Sequence, residues 1–521
     1  MTTAVTLAAV TLRTSYRRLL GWVIVIAVLL TGTAAGVDGV YPTAADRQVY
    51  AEIVGRSAAT AALNGRGYDL DHIGGIVTYE FGFFASLLLP VVAGHLAIHL
   101  TRTQEDRGLF ELITAGPIDR LTPLRVAVVL VAQTIVVTWA LCAAGLIAVG
   151  LPVTGSLLHA AGLALLMATF AAVGFVAGQL ASGSRTAHAV LLGAVGVAYL
   201  VRAVVDGRDL PLTWLTPTGW LAELRPYGPW RPWPLVGYAL ATLALTGAAL
   251  AVAARRDLGS GVLSSRSGPA RAAGWLRSVP ALAHRLTRAS WLGWTIGAVA
   301  WGFGIGLLAP EMTTLVEDNP AVADALGGAG AVDDLLASMG LLVVALLSVG
   351  ALLQWLTALA SEESSGRLGA VTAGPTARGR WWWGSLVVVG VETTVVLAAG
   401  ATGQVVGTGM VEGRWSPGLL ADAAAYLPAV VLVGAVAAAA QAIRAGAVAV
   451  GWALLAWVSV VALLGETLGL PRWFRQLSPF ELVGRPPVDA VAPGTMVIIA
   501  SASTVLLAVG WWALRRRDLS H

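Results

Sequence analysis

Residues 105–120 read EDRGLFELITAGPIDR, and residues 363–378 read ESSGRLGAVTAGPTAR. Glu105 matches Glu363, Gly108 matches Gly366, Thr114–Pro117 matches Thr372–Pro375 and Arg120 matches Arg378, all at one offset (366 − 108 = 258). Working outward, Gly21-Trp22 matches Gly293-Trp294, Arg185 matches Arg444, and Thr216-Pro217 matches Ser478-Pro479. Arg-Asp-Leu at Arg256–Leu258 returns at Arg517–Leu519. One short match means little in a chain so rich in Ala and Gly, but matches in one order along the whole length mark an internal duplication. The expected organisation is a first half at residues 1–258, a linker at 259–277 rich in Gly, Ser and Arg, and a second half at 278–521.

The material being duplicated is membrane material. Of 521 residues, 57% are hydrophobic and only 12% charged, with a mean hydropathy of +0.77. Soluble domains average about 45–50% apolar and about 25% charged, so too little polar surface exists here to coat a water-soluble globule. Soluble enzymes and disordered chains are excluded.

A helix needs roughly 20 mostly apolar residues to cross the hydrocarbon. Runs that qualify lie near 19–37, 77–100, 126–152, 156–181, 188–204, 234–254, 290–309, 337–359, 384–407, 417–441, 446–465 and 494–514. They predict an all-α polytopic membrane protein with twelve transmembrane helices, arranged as two parallel six-helix repeats. Arginine placement sets the orientation. With both termini inside, the inner segments carry 22 Arg against 8 acidic residues, and the outer segments 11 Arg against 20. The expected location is the plasma membrane of a bacterial cell, multi-pass, with cytoplasmic N- and C-termini. Met1–Arg18 shows no cleavable signal peptide, and the first apolar run is expected to be retained. Thr2, Thr6, Arg13 and Arg17 share one face at helical spacing, which predicts a helix lying in the membrane plane ahead of the first span.

All 33 basic residues are Arg. A phosphate-binding P-loop requires G-x-x-x-x-G-K-[ST], so a chain without Lys carries none. Cofactors are expected to be absent here, with any ATP and Mg bound by a partner subunit. The lone Cys142 offers neither a disulfide nor a cysteine metal cluster, and the seven His show no H-E-x-x-H spacing. Nor do the spans hold paired carboxylates or a Ser/His dyad, so no intramembrane enzyme is predicted.

The two matched loops, Thr101–Arg125 and Ser361–Arg380, each join the second and third spans of their half. Each starts acidic, continues for about ten helix-compatible residues, and stops at Gly-Pro, which ends a helix. Each therefore predicts a short helix parallel to the membrane on its inner face. Two such handles on a pseudo-dimer suit a two-fold partner.

The stretch E-D-R-G-L-F-E-L-I-T-A-G-P resembles the coupling-helix signature of type-2 ABC exporter permeases. The whole chain, with its fused halves, is similar to actinobacterial permeases that export polyketide antibiotics and other drugs. The resemblance implies that Glu105, Gly108, Glu111, Gly116, Pro117 and Arg120 couple to an ATPase, as do Glu363, Gly366, Gly374, Pro375 and Arg378 in the second half. The second loop departs from the pattern, with Gly369 where the first has Glu111. The resemblance also implies short re-entrant outer helices within 206–233 and 466–493. The partners implied are a nucleotide-binding ATPase subunit in two copies per chain, the lipid bilayer and a small-molecule substrate. No nucleic acid is expected.

Ionisable groups inside a bilayer cost on the order of 2.5–3.5 kcal/mol by insertion scales. Glu392 lies in the ninth span and aligns with Gln133 in the third (392 − 133 = 259). The pair either lines the translocation pathway or fixes helix packing through a hydrogen bond. His95 and His99 lie four residues apart on the second span, without a carboxylate of like depth. Glu80 opens that span at its outer end and is expected to be solvated. Many of the 20 Trp fall at predicted membrane surfaces, as aromatic belts do.

Two functions fit this pattern. One is the permease subunit of an ATP-driven ABC exporter moving an amphipathic, drug-like molecule out of the cell. The alternative is an ion-coupled secondary carrier of the major-facilitator type, also six plus six spans, whose inner-loop motif Asp106-Arg107-Gly108 faintly echoes. Ser364-Ser365-Gly366 in the second half lacks the Asp-Arg pair.

Overall fold

A computed structural model describes residues 2–55, 58–262, 271–317, 329–374, 376–413, 415–465 and 470–517. Among them every regular element is helical. The chain divides into two compact units, Met1–Gly268 and Pro269–His521.

In the first unit six helices are long and apolar enough to cross a membrane: Thr3–Val40, Gly82–Asp106, Thr122–Ala148, Val153–Leu180, Ser184–Gly207 and Trp233–Arg255. In the second unit four more qualify, namely Asp333–Ser364, Arg378–Val411, Gly418–Ile443 and Pro493–Arg516, with a shorter apolar helix at Ala449–Leu463. The remaining expected span, 290–309, lies inside the helix Val279–Glu317. The protein is all-α and polytopic, as its composition demands.

Why these helices pack is plainest in the second unit. A Cβ on Gly302 would lie 2.0 Å from the carbonyl oxygen of Gly400, one on Gly306 2.4 Å from that of Gln404, and one on Gly407 2.4 Å from that of Phe303. Small residues four apart thus let Val279–Glu317 and Arg378–Glu412 meet backbone to backbone. In the first unit the approach of Gly174 to Gly94, where a Cβ would meet the carbonyl oxygen at 2.6 Å, does the same for the second and fourth spans. Leu30, Leu89, Leu146 and Leu166 belong to the buried core of the first unit, and Val344, Leu353, Trp355 and Val433 to that of the second.

Two local expectations change. Thr2–Val40 is one unbroken helix of 39 residues, about 58 Å long at the α-helical rise. The amphipathic stretch therefore continues the first span with no break between them, because no Gly or Pro separates Thr2 from Leu20. Glu80 is not simply solvated: it accepts a hydrogen bond from the Tyr50 hydroxyl. Burial pushes the Tyr50 phenol far above its ordinary pKa, so it stays a donor.

Between the fifth and sixth spans of the first half lies a short helix Pro217–Glu223, and the second half has Pro479–Val483. Both start on the matched dipeptides, with Thr216 and Ser478 as N-caps and proline as the first helical residue, where its missing N–H costs nothing. Buried Arg202 donates to the carbonyls of Leu63 (2.7 Å) and Ala62 (3.2 Å) and pairs with Asp206 at 3.7 Å. That side chain ties the helix Ala58–Asn64 to the fifth span.

Candidate functional site

The two matched loops fold alike. In the first half a short turn of helix, Arg102–Asp106, is followed by Gly108 and the helix Leu109–Thr114. In the second half the long helix ending at Ser364 is followed by Gly366 and the helix Arg367–Thr372. Gly108 and Gly366 serve as N-caps at φ +72° and +74°, the left-handed region where a Cβ is penalised. Neither has any neighbour that an added Cβ would meet, so backbone conformation alone calls for glycine. Thr114 and Thr372 each return a hydroxyl bond to the carbonyl four residues back, Phe110 (2.8 Å) and Leu368 (3.0 Å).

Beneath each short helix sits an ion pair. Glu105 is buried and takes Arg256 with both oxygens, Nη1 to Oε1 at 2.7 Å and Nη2 to Oε2 at 2.5 Å. It also accepts from the Gly259 amide at 2.8 Å. Arg256 donates its Nε to Gln179 Oε1 at 2.8 Å. In the second half Glu363 pairs with Arg517, and Gln441 donates to its other oxygen at 3.2 Å. Arg120 donates to the carbonyl of Arg256, and Arg378 to that of Arg517 at 2.9 Å. The far end of each loop is thus fastened to the residue that holds its acidic start.

Around the first lock, buried Arg102 bonds Asp106 (3.0 Å) and the carbonyls of Ser182 (2.6 Å) and Ser260 (2.9 Å). Asp106 in turn accepts the amide of Ser184, opening the fifth span, at 2.6 Å. This network joins the loop to the fourth, fifth and sixth spans at once. Charge-assisted, two-pronged bonds of this kind are stronger than neutral ones and fix orientation.

With its acidic end buried, each short helix turns the opposite face outward. Phe110 packs inward and Leu368 is its equivalent, both buried. Leu112 is 74% exposed, beside exposed Leu109 and Glu111, with Gly116 and Pro117 exposed after them. In the second half the corresponding outward positions are Arg367, Gly369 and Ala370. Gly374 is exposed, and Pro375 lies outside the described residues.

Glu105 and Glu363 therefore hold the loops in place from within, whereas Glu111, Gly116 and Pro117 lie at the surface. The duplicated Arg-Asp-Leu motif was visible in the sequence, but that its Arg256 and Arg517 close onto the loop glutamates was not. Gln179 and Gln441 escaped notice altogether, although each stands in the last turn of the fourth span of its half.

The two aligned intramembrane residues differ in their surroundings, each within its own unit. Gln133 is exposed on the first unit, while Glu392 is buried in the second. Glu392 Oε1 lies 2.7 Å from His284 Nδ1 and accepts from the Thr287 hydroxyl at 2.8 Å. Both partners come from Val279–Glu317, the helix already pressed against Glu392's own by the glycines. His284 could not be foreseen, because it precedes the apolar run of its span. Likewise His95 finds His188 at 2.9 Å, and His99 contacts Arg18. No cluster of three metal-binding side chains forms among the described residues.

The family model "Multidrug efflux system permease Rv1217c, C-terminal domain" matches residues 276–515. The chain is 30% identical over 507 residues to the multidrug efflux system permease protein Rv1217c of Mycobacterium tuberculosis (strain ATCC 25618 / H37Rv), covering 96% of this chain and 92% of that protein.

Proposed function

Because the chain belongs to the multidrug efflux system permease family, we propose that it is the membrane subunit of an ATP-driven exporter whose ATPase is a separate polypeptide. It is a multi-pass membrane protein and a transport subunit. The cargo would be an amphipathic small molecule, in keeping with the multidrug efflux named for the relative. Both termini would face the cytoplasm, a reading supported by the segregation of Arg among the loops.

The observation that carries the coupling role is the repeated lock: a short helix clamped to the end of its half's last span by Glu105–Arg256 or Glu363–Arg517. A lever must be stiff, since a floppy loop would dissipate the stroke of an ATPase. Its outward face, led by Leu112, Glu111 and the Gly116-Pro117 turn, would seat the ATPase subunit, one copy per loop. Closure of two bound ATPases would then shift the two halves between arrangements of unequal substrate affinity, which is what moves a ligand.

Nothing favours the secondary carrier. Its proton relay would need several intramembrane carboxylates, and Glu392 is already held by His284 and Thr287. Co-purification with the ATPase subunit tests the proposal. Two ATPase copies per chain are expected, falling towards one when Leu112 is changed to Asp. A complex of undiminished stoichiometry and strength in that variant would remove the docking face.

A further inference from the structure

Behind the second short helix lies a cavity of about 60 Å³, larger than the ~10–15 Å³ one water needs. Its walls are mostly apolar, and Leu368, Trp382, Ser385, Gln441 and Arg517 all line it. Three buried polar atoms in those walls have no hydrogen-bond partner: Trp382 Nε1, Ser385 Oγ and Arg517 Nε. Two of them can only donate, and the third can. Buried donors left unpaired are costly, and all three belong to residues that line this one space, where a small rotation of each side chain would offer its donor to an oxygen acceptor.

The duplication supplies an internal control. At the loop offset, Ala360 of the cavity wall corresponds to Arg102 (360 − 102 = 258), Trp382 to Leu124 and Ser385 to Ala127. Arg102 fills its site with a buried guanidinium fully engaged by backbone carbonyls and Asp106. The second half has replaced that plug by a methyl group and has placed an indole N–H and a hydroxyl where the first half has only hydrocarbon. Packing alone does not call for this exchange.

We propose that this cavity is a binding site for the neutral, acceptor-bearing end (a carbonyl or ether oxygen) of an amphipathic molecule whose apolar body rests on the surrounding Trp and Leu side chains. A neutral end is favoured over an anionic one because the one cation in the wall, Arg517, is already paired with the Glu363 carboxylate beside it. The volume admits one small end, not a whole drug-sized molecule. Because Leu368 faces the cavity from the short helix, and Glu363 and Arg517 are its lock, an occupant stiffens the second lever. That regulatory consequence rests on the coupling role proposed above; the binding itself does not.

The test is photolabelling of the full chain in lipid nanodiscs with 4-acetylbenzophenone, whose acetyl group offers the acceptor and whose aryl ketone crosslinks on irradiation. Label is expected on Leu386, Leu514 or the neighbouring Trp residues, read by mass spectrometry. Ala360→Arg, which restores the first half's plug, should abolish it. Trp382→Phe, which removes one donor and keeps the ring, should weaken it about three- to tenfold, the worth of one hydrogen bond. 4-Ethylbenzophenone, which lacks the small acetyl end and keeps only the diaryl ketone flanked by two rings, too bulky for a space of about 60 Å³, should label this site more weakly than 4-acetylbenzophenone. Equal labelling of wild type and both variants, or label found only elsewhere, overturns the proposal. Stronger labelling by 4-benzoylbenzoate overturns the neutral-end assignment. Labelling needs no ATPase, so its success alongside a failed co-purification would refute the coupling role and leave the cavity standing.

Discussion

Arg256 grips both carboxylate oxygens of Glu105, at 2.7 and 2.5 Å, across 151 residues of chain. Both side chains are almost wholly buried. Arg102 adds a second cation 3.5 Å from Oε2. Removing one partner from such a pair leaves an uncompensated buried charge, typically costing about 3–5 kcal/mol. Glu105→Gln should therefore loosen the Leu109–Thr114 helix, seen as faster amide hydrogen exchange there, and lower transport per ATP hydrolysed while membrane insertion survives. Glu363→Gln should do the same more mildly, since Arg517 is the more exposed partner.

What could be read from the chain divides along a physical line. Gly108, Thr114 and Gly116 act locally, through backbone conformation and short-range hydrogen bonds, so their repetition was legible as a motif. Glu105 and Arg256 are each marked by repetition too, but their meeting is decided by how six helices fold back on one another, which no spacing encodes. His284 shows the same limit. Its partner Glu392 stood out as a carboxylate in an apolar run, whereas a histidine outside such a run carries no flag. The spans themselves were the easiest reading, because burial in lipid leaves a long unbroken hydrophobic signature.

The glycine N-caps give a sharper prediction. Gly108→Ala and Gly366→Ala meet no steric obstacle, so each should cost only the left-handed backbone penalty of about 1–2 kcal/mol. Asn, which tolerates that conformation better, should restore most of the loss. Capture of the ATPase subunit and coupled transport are the measurements, with the order Gly, Asn, Ala expected at both positions.

The outward faces differ, and the partner should feel it. Leu112 is a large exposed apolar side chain, whereas its counterpart is Ala370. Leu112→Asp should weaken ATPase binding about ten- to thirtyfold, as loss of a central apolar anchor does. Ala370→Asp should weaken it several-fold less. Titration of each variant with the ATPase subunit, resolved into two binding events, checks the order.

For Glu392 the bonds point to packing. Gln at this position still accepts from Thr287 and His284, so Glu392→Gln should retain transport within about twofold. Glu392→Leu strands both donors and should lower thermal stability by about 1–3 kcal/mol. A large transport loss in the Gln variant at normal stability would instead place Glu392 on the substrate's path, and Gln133→Leu would then be expected to share it.

The most direct trial of the account is reconstitution in liposomes, comparing the chain alone with the chain plus its ATPase subunit. The account predicts drug movement only when the second polypeptide and hydrolysable ATP are both present, and none under a proton or sodium gradient. Movement driven by such a gradient, with the chain alone and no nucleotide, would contradict it.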